Sequence, residues 1–169
     1  MAERNWRRYR FRLIVFGLLC LAVMVGIFFL SAQPAEDSAQ QSRFFMETAL
    51  GRWILESIPK LFSGTQEHQI RKLAHMFEYC CLAGTYLIFF DELLRCRPTR
   101  LKEAAIVSLF CCALYAGMDE IHQIFIPGRA GRLSDVLIDC LGGGVGILLV
   151  LSSLSVGRVV LKLYYKNRK

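Results

Sequence analysis

Residues 13–30 read LIVFGLLCLAVMVGIFFL, an unbroken apolar run from Leu13 to Leu30 with no charged side chain in it. At the helical rise this run covers about 27 Å, close to the roughly 30 Å of a bilayer's hydrocarbon core. A basic segment from Arg4 to Arg12 precedes it, as in a secretory signal. Secretory apolar cores usually stop at ~7 to 15 residues, and this one is longer. The run therefore reads as an uncleaved first span whose basic end faces the cytoplasm.

Working outward, three further apolar stretches complete the set: spans are expected at about 13–30, 72–90, 103–118 and 133–151. Hydrophobic residues make up 54% of the chain, charged ones only 21%, and mean hydropathy is +0.39. Water-soluble helices need polar stripes, and these stretches lack them, so a bilayer is the simplest solvent for the excess apolar surface. The expected fold is all-α: a single polytopic membrane domain over 1–169, a compact bundle of four transmembrane helices plus an outer interfacial amphipathic helix.

That fifth helix belongs to the 31–71 segment. Ser31 to Gln41 is small and polar, and Pro34 breaks any helix there. From about 43 to 62, Phe44, Phe45, Leu50, Trp53, Ile54, Ile58, Leu61 and Phe62 recur at broadly helical spacing among polar residues. The pattern is too short to span and suits a helix lying along the membrane surface. Gly51 and Pro59 weaken it and leave a re-entrant or loosely folded lid as the alternative.

The formal charge is +7, but the cations flank the apolar runs instead of lining one helix face among aromatics. That placement is the mark of topology determinants and argues against a nucleic-acid partner. Of the 21 Lys and Arg residues, 14 fall in the N-terminus, the 91–102 loop and the tail, and 7 fall on the other side. The positive-inside rule then puts both termini in the cytoplasm and the 31–72 and 119–134 segments outside. Seven cysteines with no C-x-x-C spacing give no disulfide framework and no zinc motif, and read as small apolar filler. Gly142, Gly143, Gly144 and Gly146 read as a helix-packing surface.

Ionisable residues inside a membrane cost about 2.5 to 3.5 kcal/mol each on insertion scales, so their arrangement matters. His75 and Glu78 are three apart on the second span, Asp119 and His122 three apart on the third, and Asp135 and Asp139 four apart on the fourth. Those spacings put each pair on one helix face. Glu78 would lie about 10 Å below Arg71, and Asp139 about 10 Å below Arg132, so their depths agree. With Glu120, Gln123, Arg129 and Arg132, the set reads as one outward-opening cavity. Arg71, Lys72, Glu120, Gln123 and Asp135 fit equally well as solvated residues at helix ends. Arg129 suits a phosphate or carboxylate through its planar fork, or a pairing with Asp135.

At these residues the chain resembles the VanZ family, small membrane proteins named for a member that lowers susceptibility to the glycopeptide antibiotic teicoplanin. The matching text is Arg71-Lys72-Leu73-Ala74-His75-Met76-Phe77-Glu78-Tyr79, then residues 119–129 (DEIHQIFIPGR), then Asp135-Val136-Leu137-Ile138-Asp139 followed by Gly142. Ser31-Ala32-Gln33-Pro34 also fits, so the resemblance covers nearly the whole chain. It implies a compact helical bundle and envelope biology, but no molecular activity. Asp139 departs from the family's common asparagine; the extra acid favours a proton-sharing pair or a bound cation.

Three functions compete. The first is a binding protein whose pocket takes the head group of an outer-leaflet lipid or a lipid-linked cell-wall precursor. Arg129 and Arg132 would then meet phosphate, with Glu120, Gln123, Asp135 and Asp139 on sugar or peptide groups. The second is a membrane hydrolase or transferase in which Glu78 or Asp119 is the base and His75 or His122 shuttles a proton, although no known hydrolase motif is present. A metal variant of either uses His75, Glu78, Asp119, His122 and Asp139 as ligands, a donor set that suits zinc, iron or manganese. Transport ranks last, because the polar groups stop near one face while the other halves of the spans are apolar. Oligomeric state is not legible in the sequence.

Overall fold

The computed structural model describes residues 2–58, 61, 62 and 64–166. Six helices follow one another: α1 (Ala2–Ser31), α2 (Ala35–Glu47), α3 (Ala49–Ser57), α4 (Gln66–Leu93), α5 (Arg100–Gln123) and α6 (Leu133–Lys166), with no strand among the described residues. Four segments, Asn5–Ser31, Gln66–Leu93, Arg100–Gln123 and Leu133–Gly157, are long and apolar enough to cross a membrane. Their outward faces are apolar too: Phe29, Phe110, Leu141 and Leu148 are all exposed. Such a surface is stable only against hydrocarbon, which makes this a multi-pass membrane protein.

Each helix outruns the apolar stretch that predicts it, because backbone hydrogen bonding continues after hydropathy has fallen. At the start of α4 the Thr65 hydroxyl accepts a hydrogen bond from the His68 amide at 3.3 Å, so the helix begins at its cap, well before Arg71. The extra turn adds His68 to the face that continues through Arg71 and Lys72 to His75, at spacings of three and four residues.

Helix α4 is the hub and packs against α1, α2, α5 and α6. Its buried stripe, Tyr79, Leu82, Ala83, Tyr86 and Leu87, follows the helical repeat and meets Ile27 of α1, Ala104, Cys112 and Ala116 of α5, and Ile147 of α6. The α4–α6 contact is the closest. A Cβ on Gly142 would strike the Met76 carbonyl, and one on Gly146 would strike the Cys80 carbonyl, so the two backbones touch one helical turn apart. Helix α1 is fastened by Tyr115, whose hydroxyl donates to the Met24 carbonyl at 2.6 Å, and by Arg12, which pairs with Glu92 at 3.1 Å.

The Arg12–Glu92 pair marks one end of the bundle, together with the α4–α5 loop and its Arg97–Glu103 and Arg100–Asp91 pairs. The opposite end collects Ser31, the lid formed by α2 and α3, the start of α4, the end of α5 and the start of α6. The lid differs in detail from the single helix expected over 43–62. Pro34 ends α1 but opens α2 from the N-cap position, where a missing N–H costs nothing, and Glu36 and Asp37 in the first turn complement the helix dipole. The chain breaks again at Thr48, whose hydroxyl donates to the Phe45 carbonyl at 2.6 Å and accepts from the Gly51 amide at 3.0 Å. Pro59 lies outside the described residues.

Candidate functional site

The polar end contains two adjoining cavities. One, of about 250 Å³, is polar; among its lining residues are His68, Arg71, Lys72, His75, Glu120, Gln123, Arg129, Arg132, Asp135 and Asp139. The other, about 540 Å³, runs under the lid between Phe45, Leu50 and Ile54 on one side and Ile70, Leu73 and Phe77 of α4 on the other. Arg71, His75 and Arg129 line both and form the wall where the two meet.

Loop geometry places Arg129 in that wall. Gly128 takes a positive φ of 74°, the left-handed conformation that glycine adopts without steric cost, and so turns the chain immediately after Pro127. The Pro127 carbonyl then accepts from the Ala35 amide at 3.2 Å, and the Arg129 Nε donates to the Gln33 carbonyl at 2.9 Å. These two bonds latch the α5–α6 loop to the α1–α2 linker. They also hold Arg129 in the lining of both cavities. Burial, and next the neighbouring Arg71 charge, push Arg129 below the ordinary arginine range. The Arg71 side chain meets the His68 ring nitrogen at 3.0 Å. Among the described residues neither guanidinium has a carboxylate partner, so two like charges share a half-enclosed space.

The other cation of α4 is neutralised. Lys72 pairs with Asp135 at 2.8 Å, which fixes α4 against the first turn of α6. Glu120 accepts from the Arg132 amide at 2.7 Å, while the Arg132 side chain stays at the exposed rim. Asp139 is different. It lines the same cavity at 2% exposure and accepts no hydrogen bond among the described residues.

Not all candidates converge. Asp119 and Gln123, four apart, share one face and form a buried network with Ser31. The Ser31 hydroxyl donates to the Asp119 carboxylate at 2.8 Å, and the Gln123 amide donates to both Asp119, at 3.1 Å, and Ser31, at 3.0 Å. Asp119 thus ties α5 to the end of α1 and lines neither cavity. His122, expected on the Asp119 face, instead stacks on Phe28 of α1 with centroids 4.7 Å apart. It too lines neither cavity, and its Nδ1 is buried without a partner among the described residues. His75 and Glu78 do pair: Nδ1 stands 3.4 Å from Oε2, within reach for a charge interaction but without hydrogen-bond geometry. Glu78 lines the apolar groove and His75 both spaces.

Among the described residues no group of three or more His, Cys, Asp or Glu side chains is placed to hold a metal ion. The five candidate ligands are divided: His75 with Glu78, Asp119 with Ser31 and Gln123, His122 on Phe28, and Asp139 in the lining of the polar cavity. Reading residues as candidates from span positions alone left out His68, Arg71 and Lys72 as cavity residues, and Ser31 as a network member. The signal for the first three was their spacing to His75.

Residues 16–155, well over half of the chain, match the family model described as VanZ/LLP1. The chain belongs to the VanZ/LLP1 family. No curated protein and no solved structure matched it. In this VanZ/LLP1 chain the stretches that carry the family resemblance contribute to the lining of the polar cavity: residues 71–79 from α4, 119–129 from the end of α5 and its loop, and 135–139 from α6.

Proposed function

We propose that this protein binds an amphiphile of the cell envelope, an outer-leaflet lipid or lipid-linked cell-wall precursor, with its phosphorylated head group in the polar cavity and its chain in the apolar groove. The observation that carries this reading is the shared wall. A cationic cavity and an apolar groove adjoin at Arg71, His75 and Arg129, which matches the junction of phosphate and chain in a lipid. Two guanidiniums without carboxylate partners call for an anion, and planar forks suit phosphate oxygens. The exposed Trp53 and Leu50 of the lid suit an interfacial position over the bound chain. The cation count puts this end at the outer face, with both termini in the cytoplasm. Occupying or screening an envelope precursor there would account for a link to glycopeptide susceptibility.

The test is native mass spectrometry of the detergent-solubilised full chain. Co-purified phospholipid should fall sharply in Arg129→Ala, and unchanged retention would count against the reading.

A second reading is favoured by the His75–Glu78 pair alone, which lies beside that wall. An imidazole and a carboxylate within 4 Å of each other suit proton transfer at an ester linkage held there. It makes the protein a hydrolase or transferase of envelope lipids. Product formation that is lost in both His75→Ala and Glu78→Gln would establish it; a substrate panel untouched by the wild type would not.

A further inference from the structure

The polar cavity is not uniformly basic, and the acid that lines it says more about the ligand than its cationic wall. Arg71 and Arg129 occupy the side shared with the groove. Asp139 lines the polar cavity and not the groove. Each other acid lining this cavity has a protein partner: Asp135 has Lys72, and Glu120 has the Arg132 amide. Asp139 is almost wholly buried and has none among the described residues. Its carboxylate opens onto the cavity with no protein donor among the described residues, and a donor with positive charge satisfies such a group best. Among the described residues Lys72 pairs with Asp135 at 2.8 Å and not with Asp139, and Arg129 is turned by its bond to the Gln33 carbonyl.

We infer that the ligand carries a protonated amine on the far side of its phosphate from the chain, and that Asp139 receives this ammonium. The chemical class is an aminophospholipid-type amphiphile: chain in the groove, phosphodiester on Arg71 and Arg129, ammonium on Asp139. The inference rests on the head-group reading above and narrows it. A purely anionic lipid would satisfy the two arginines but leave Asp139 facing added negative charge. A phosphate-linked precursor bearing a free amine offers the same chemistry from another source, and the experiment separates the two.

The full chain is reconstituted in detergent and exposed in competition to phosphatidylethanolamine and to phosphatidylethanol of identical chains, which lacks only the amine, with retention read by native mass spectrometry. The wild type should prefer phosphatidylethanolamine by about tenfold, the effect of one charge-assisted hydrogen bond. Asp139→Asn should lose that preference while still retaining phosphatidylethanol, which also shows that the variant is folded. Equal retention of the two lipids by the wild type overturns the inference but leaves head-group binding standing. An undiminished preference in Asp139→Asn overturns it as well. Retention of neither lipid, with retention of an amine-bearing precursor lost in Asp139→Asn, keeps the chemistry and changes the source. Retention of none of the three overturns both readings.

Discussion

Replacing single glycines of the run in α6 by alanine tests the packing that sets the site's geometry. A Cβ at Gly142 or Gly146 would run into the carbonyls of Met76 and Cys80, which are backbone atoms of α4 and cannot swing aside. At Gly144 nothing lies within 4 Å, so a methyl group there enters open space. Overpacking a close contact costs about 1–3 kcal/mol, and more where a whole helix must move. Gly144→Ala should instead be neutral or gain up to about 1 kcal/mol of helix propensity. Positions two residues apart on the same helix should therefore differ by roughly 1–4 kcal/mol. The measurement is the thermal or detergent-induced unfolding midpoint of each purified full-length variant. If Gly144→Ala is as damaging as Gly146→Ala, or if Gly142→Ala and Gly146→Ala are both neutral, α4 and α6 do not meet backbone to backbone and the cavity walls are misplaced.

Ser31→Ala should destabilise the protein by about 1–3 kcal/mol, because a buried Asp119 loses its 2.8 Å donor while Gln123 loses an acceptor; an unchanged unfolding midpoint would refute the network. Lys72→Ala should cost more than an exposed pair would, leaving Asp135 half-buried and uncompensated, and the double variant with Asp135→Ala should recover part of that loss in unfolding measurements. Reporter fusions made after Arg97 and after the last residue should report the cytosol, and fusions after Phe45 the exterior; the opposite pattern would invert the site's assigned side.

Much of the architecture was readable because the bilayer imposes a simple rule on sequence. The run from Leu13 to Leu30 and its three counterparts needed only length and hydropathy to be recognised as spans. What hydropathy cannot show is where hydrogen bonding stops, so α4 begins at the Thr65 cap, a turn before the cations, and α2 begins at Pro34 in a stretch that reads as a break. The site was partly legible. Spacing along one helix joined His75 to Glu78, which stand 3.4 Å apart. Rotation of one helix against another is set by packing, and here sequence spacing had no purchase. His122 turned to Phe28, whereas Gln123, one residue on, shares the Asp119 network. The pairing of Lys72 with Asp135, 63 positions away, likewise depends on the glycine contacts that bring α6 onto α4. The lid's Thr48 corner was in principle visible, since a threonine three residues before the amide it caps is a helix start signal.

The account stands on the joining of the polar cavity and the apolar groove into one amphiphile site. A density map of the protein purified with its native lipids examines this most directly. It should show a head group against Arg71 and Arg129, with continuous chain density beneath the lid along Phe45, Ile54 and Phe77. Lipid density confined to the outer faces of the spans, with the space between Arg129 and Asp139 holding only solvent, would contradict it.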